Sequence, residues 1–237
     1  MPTDAQILAS HAEKDLCLET AMLSRAYYYQ SLPFCIIDAI FSLGVRYGQV
    51  ENVVCHVHKA TKWPVFRPHG TPFPPELEQI KVADLLQAIE SHPIPQQTLF
   101  QNHGYANPAK AANKRISKSD LVRRFAEVLI ENKVDTFQSL VSHKKPAELD
   151  KSLCALPALS RGVAVRYFRM LAGDDSQVKP DRMIQRFIES GINRKFSVDD
   201  SAKLVQETCA VLNEKYPTLT PRLLDHEIWK FQRTRQQ

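Results

Sequence analysis

The sequence predicts an all-α fold, and three observations predict it. Apolar residues recur at i, i+3, i+4 and i+7 along much of the 237 residues, the period of a helix with one buried face. No run alternates apolar and polar residues convincingly enough for a strand. Seven glycines are too few for the many tight turns of a β architecture.

Taken in order, Asp4 to Tyr29 holds one long helix or two short ones. Pro33 starts a strongly apolar helix, Phe34 to Leu43, ended by Gly44. Being apolar on nearly every side, it is expected at the centre of a core. Val50, Val53, Val54 and Val57 share one helical face. Trp63 to Pro75 carries Pro64, Pro68, Pro72, Pro74 and Pro75, which excludes regular helix and central strand. Gln101 to Pro108 is a second irregular stretch. Leu121, Phe125, Val128 and Leu129 form one face behind Ser117 and Asp120 in capping-box spacing. Leu149 to Ala155 is a short helix, and Leu156 to Arg161 is a tight turn of small residues. Gly162 to Ala172 is a second helix with Val163, Tyr167, Met170 and Leu171 inward, closed by Gly173. Val178-Lys179-Pro180-Asp181 then opens a helix through Met183, Ile184, Phe187 and Ile188. Ala202, Val205, Cys209, Leu212 and Tyr216 make another stripe, stopped by Pro217. Thr220-Pro221 opens the last helix as N-cap and first helical residue, with Leu224, Ile228 and Phe231 inward.

Composition narrows the classes of function. At 43% hydrophobic and 24% charged the chain is an ordinary globular protein. No apolar run approaches the ~18 residues of a membrane span, and the first 20 residues show no secretory signal. A cytoplasmic, nucleoid-associated location is expected. The five cysteines (Cys17, Cys35, Cys55, Cys154, Cys209) are odd in number and widely spaced, which predicts reduced, buried thiols. None has metal-knuckle spacing, and His56 and His58 diverge on a helix, so neither metal nor cofactor is expected. Phosphate-cradling glycine loops, nucleophile elbows and dinucleotide fingerprints are missing too.

The net charge of +5 is mild, but it is clustered. Lys110, Lys114, Arg115, Lys118, Arg123 and Arg124 stand against Asp120 alone, and bases again exceed acids from Arg161 to Lys195. Two local clusters suit a polyanion, although either also fits a solvated helical face.

Helix, tight turn, helix has a physical use. A small turn lets backbone N–H groups at the start of the second helix approach a phosphate oxygen, and the helix dipole supports that contact without reading sequence. Leu159, Ser160, Arg161 and Gly162 are the candidate contacts, with Arg161 adding charge.

The run Leu156 to Phe187 resembles the helix-hairpin-helix plus aspartate signature of the DNA glycosylase superfamily typified by endonuclease III. The family pattern is a Leu-Pro-Gly-x-Gly-type hairpin, a helix, and an extended link into a helix that carries an aspartate. Leu156 and Pro157 match, Ala158 and Ser160 replace the hairpin glycines, and Asp181 falls at the aspartate. Phe34 to Val54 is similar, more weakly, to the first barrel helix and the turn after it. The resemblance implies an all-α, two-lobed fold with the active-site cleft between lobes. Residues 33–178 would form a six-helix barrel lobe containing the helix-hairpin-helix at about 148–172, and 1–32 with 179–237 the second lobe.

It also implies a chemistry. Breaking an N-glycosidic bond builds positive charge on the sugar, and a nearby carboxylate stabilises that state and orients water. Asp181 takes this role by resemblance; on position alone it is equally an N-cap after Pro180. Members with lyase activity carry a lysine just after the hairpin, where this chain has Gly162, so coupled strand cleavage by a Schiff base is not expected. The cluster-binding cysteines of some members are missing as well. The expectation is a monofunctional, monomeric glycosylase excising a damaged or modified base from double-stranded DNA, in repair or against bulky phage-type bases. A target base must leave the duplex for a pocket, with Tyr47, Trp63, Asn102, Tyr105 and Asn107 as candidates and Arg46 as a DNA contact or wedge. Lys179 and Arg182 flank Asp181 and suit phosphates. The alternatives are a non-catalytic helix-hairpin-helix DNA-binding protein and a helical protein-interaction module.

Overall fold

A computed structural model describes residues 1–45, 47–91, 99–106 and 115–235, with the backbone alone at Tyr47. The fold is mostly helical. It divides into two compact units, one of Met1–Ser24 with Gly173–Gln237 and one of Arg25–Ala172.

In the Arg25–Ala172 unit the apolar run becomes α2 (Leu32–Phe41), every residue of which is buried. Asp38 is buried within it and accepts a hydrogen bond from the Tyr29 hydroxyl at 2.8 Å. Helix α2 packs against α3 (Tyr47–Thr61), α5 (Lys118–Glu131) and α8 (Val163–Leu171). Val50, Val53, Val54 and Val57 of α3 are all buried, as their spacing predicts. On α5, Leu121, Phe125 and Leu129 are buried and Val128 is half-buried.

The proline-rich segment is irregular but firmly attached. Phe66 pairs with Tyr29 in an isolated bridge, and Phe73 stacks on Phe137 at 4.4 Å. Arg67 is buried beneath it. Its guanidinium donates to the Tyr29 carbonyl and, at 3.2 Å, to that of Thr71, and it lies over the rings of Tyr28, Phe73 and Phe137. Desolvating a cation this far requires such partners.

Several elements here were not expected. Helix α4 (Val82–Glu90) buries Val82, Leu85 and Ile89. A ribbon pairs β1 (Tyr105–Ala106) with β2 (Ile116–Ser117) in antiparallel register. Two-residue strands are too short to show alternation, so the ribbon leaves no periodic trace. The unit closes with α6 (Phe137–Val141), α7 (Pro146–Cys154) and α8.

In the other unit, α1 (Asp4–Asp15) starts at a capping box between Thr3 and Gln6. It packs on α9 (Arg182–Ile192) and α10 (Val198–Leu212), and α11 (Pro221–Thr234) packs on both of those. Leu8, Ala12, Phe187, Ile188, Val205 and Leu224 belong to the core. A Cβ added at Gly191 of α9 would lie 2.6 Å from Cδ2 of His11, so glycine permits the approach of α1 to α9. Asp4 to Tyr29 thus yields one helix followed by two short 3₁₀ turns.

The cysteines correct one expectation. All five are free, but only Cys35 and Cys209 are buried, while Cys17 and Cys55 are exposed. Among the described residues no helix is long and apolar enough to cross a membrane.

Candidate functional site

The turn between α7 and α8 is built from two consecutive backbone bonds. The Leu159 amide donates to the Leu156 carbonyl at 3.1 Å, and the Gly162 amide to the Leu159 carbonyl at 2.8 Å. The geometry requires a left-handed backbone at Ala158 (φ 67°) and at Gly162 (φ 70°). Glycine meets this freely, and alanine meets it at a cost of about 1 kcal/mol. The Leu159 side chain is buried as the anchor of the turn, so Leu159 can offer an outside group only its backbone. Ser160 and Arg161 are exposed. Gly162 provides no side-chain cap for α8, and the amides of Val163 and Ala164 have no acceptor among the described residues. Helix α7 is tied to α8 by the buried Arg169 guanidinium, which grips Asp150 at 2.7 and 3.0 Å.

Of the first basic cluster, Lys118, Arg123 and Arg124 are committed to structure and Arg115 is exposed, while Lys110 and Lys114 lie outside the described residues. The Lys118 side chain is buried, and its ammonium donates to the carbonyls of Phe41 (2.9 Å) and Leu43 (2.7 Å), closing the C-terminal end of α2. Burial lowers its pKa to about 8. It is therefore unavailable to a phosphate. Arg123 and Arg124 share Asp120 at 2.6 and 2.9 Å, and Arg123 also meets Glu127. The hydrogen bonds that Arg123 donates to Asp120 raise the Arg123 pKa further.

In the other unit, Asp181 is the N-cap of α9. Its Oδ1 accepts the amides of Met183 at 2.7 Å and Ile184 at 3.4 Å. The side chain is half-buried, with Lys179 half-buried and Arg182 exposed beside it. A carboxyl that no local motif announces lies close to it. Asp225 of α11 is buried, and its Oδ2 accepts the Lys179 amide at 2.8 Å, fixing the irregular segment that leads to Asp181. Burial first, and then the Asp181 carboxylate, push the Asp225 carboxyl well above the usual carboxylate range. Its neighbours His226 and Glu227 are buried too. Burial, with Lys230 second, lowers the His226 pKa to about 4, while Glu227 accepts from Lys230 at 2.9 Å and from the Met22 amide at 3.3 Å.

Of the expected base-pocket residues, the side chains of Trp63, Asn102 and Tyr105 are described. Trp63 packs edge-on against Phe34 and accepts His58 Nδ1 at its carbonyl at 2.7 Å. The Asn102 side-chain oxygen is taken by the Gly104 amide at 2.7 Å. Tyr105 is exposed and lines a cavity that neither Trp63 nor Asn102 lines. Arg46, Asn107 and the side chain of Tyr47 lie outside the described residues. Among the described residues no group of three or more His, Cys, Asp or Glu could hold a metal ion.

Residues 6–233 match the family described as a domain of unknown function (DUF8548), and the chain belongs to that family. No curated protein and no solved structure matches it.

Proposed function

We propose that this protein is a monofunctional DNA glycosylase of the helix-hairpin-helix type, with Asp181 as the carboxylate that stabilises the sugar cation and orients water. One observation carries the reading. Ala158 adopts a left-handed backbone at the position where the resembled hairpin has glycine, and the turn leads into an α8 whose first amides are uncapped beside exposed Ser160 and Arg161. That arrangement suits a phosphate oxygen. Arg161, Lys179 and Arg182 are the further phosphate contacts of this reading.

The non-catalytic DNA-binding alternative keeps one observation in its favour: Oδ1 of Asp181 is already engaged in capping α9. Base release from duplexes carrying a panel of damaged and modified bases separates the two, with strand cleavage scored before and after alkali. Asparagine retains the cap, so Asp181→Asn tests the chemistry and spares the fold. Wild type should give cleavage only after alkali, and Asp181→Asn should reduce it at least about 100-fold, the scale at which a single electrostatic contact to a developing charge acts. No release across the panel, with salt-dependent DNA binding intact, would favour the binding protein.

A further inference from the structure

The cavity lined by Tyr105 belongs to the Arg25–Ala172 unit and is separate in its residues from the Asp181 group. Its volume is about 490 Å³, within the range of small-ligand sites. Ile89 of α4 and Ile116 of β2 contribute apolar surface, and Pro157 of the hairpin borders it. Three guanidiniums, Arg115, Arg123 and Arg124, line it against one carboxylate, Asp120. Asp120 binds Nε of Arg124 and Nε and Nη2 of Arg123, which holds both arginines in place before any ligand arrives. Arg115 is exposed and makes no ion pair among the described residues. Tyr105 is 55% exposed, so its ring is open to a stacking partner at the cavity wall.

We propose that this cavity binds a nucleotide, with the base stacked on Tyr105 and the phosphate held by Arg115 and Arg124. The chemistry matches on both ends. A phosphate monoester carries nearly two negative charges at neutral pH, and planar guanidinium forks take phosphate oxygens in pairs. An exposed tyrosine ring gives a stacking face that tolerates any base. The nucleotide has two possible sources: a free mononucleotide, or an unpaired nucleotide of a strand whose duplex lies on the adjoining hairpin. The free source is independent of the proposed function, the strand source rests on its duplex contact at the hairpin, and neither uses a property of Asp181.

Calorimetric titration with AMP tests the free source. Titration with a DNA duplex bearing a 5′-phosphorylated single-stranded overhang, against the blunt duplex, tests the strand source. Tyr105→Ala and Arg115→Ala alter exposed residues and should leave the melting temperature unchanged. Each should weaken the nucleotide-bearing probe about tenfold or more, the loss expected for one stacked base or one phosphate contact, with binding of the blunt duplex unaltered. Weakening of AMP assigns a free nucleotide, and weakening of the overhang alone assigns a strand. Asp181→Asn should bind both probes as wild type does. If wild type binds neither probe better than its control, or if both variants bind as wild type, the proposal is overturned.

Discussion

Helices α8 and α9 begin in opposite ways. At α9 the Asp181 carboxylate fills the N-terminus and satisfies two amides. At α8 the cap is Gly162, which has no side chain to offer, and the first amides stay open. The positive end of a helix attracts an anion in either case. In α9 the anion is part of the chain, and in α8 it must come from outside. The contrast separates a carboxylate held in a fixed pose from a helix end that the chain leaves uncapped.

The largest break in this comparison is at Asp225, which holds the irregular segment leading into the filled cap. Its carboxyl titrates well above the usual range in the folded state. Below the unfolded pKa of about 3.9 both states are protonated and its favourable contribution is fully present. As pH rises from there the unfolded chain ionises first, and stability falls steadily until the folded pKa is passed. His226 works in the opposite direction: its folded pKa is depressed to about 4, so its contribution is present above about 6.5 and is lost as pH falls toward 4. Asp225→Asn retains an acceptor for the Lys179 amide and removes only the first effect. Denaturant melts from pH 4 to 7 should show the stability of Asp225→Asn relative to wild type growing with pH. A constant difference would mean that Asp225 ionises in the native state as freely as in the unfolded one.

The open end of α8 is broken by charge. Arg161→Glu places a carboxylate beside the uncapped amides and should weaken duplex binding about tenfold at moderate salt, with a shallower dependence on salt. Unchanged affinity and salt dependence would place the duplex elsewhere. The filled end of α9 responds in stability: Asp181→Ala should cost about 1 kcal/mol and Asp181→Asn almost nothing, read as denaturation midpoints.

Much of this was legible in the sequence, and the misses share a cause. The stripes on α2, α3, α5 and α10 predicted burial because periodicity reports apolar faces directly. Helix α4 has the same signal in Val82, Leu85 and Ile89, but three apolar residues in a nine-residue helix make a weak stripe, and the proline-rich segment before it excludes regular helix. Lys118 belongs by charge with the surface cluster, yet it closes α2, because a long alkyl stem lets an ammonium reach buried carbonyls. Asp225, His226 and Glu227 form the most polar triplet of α11, and polarity predicts solvent. Their burial depends on partners such as the Lys179 amide and Met22, which lie distant in sequence and leave no periodic trace. The same holds for the candidate site: Asp181 and the hairpin were legible as local motifs, whereas the Asp225 carboxyl behind Asp181 is a tertiary fact.

The smallest effect concerns the hairpin itself. Ala158 sits at φ 67°, where a Cβ crowds the following carbonyl and costs about 1 kcal/mol or slightly more. Glycine at that position removes the strain but gives the unfolded chain more freedom, which returns part of the gain. The balance favours glycine by roughly 0.5 kcal/mol, the low end of what is seen when backbone strain and chain entropy oppose each other. Ala158→Gly should therefore raise the denaturation midpoint slightly, and a closer approach of backbone to phosphate should leave duplex affinity equal or higher. Measured destabilisation would mean that the Ala158 methyl makes packing contacts worth more than the strain, and the turn would then be shaped by its own core and not by a ligand.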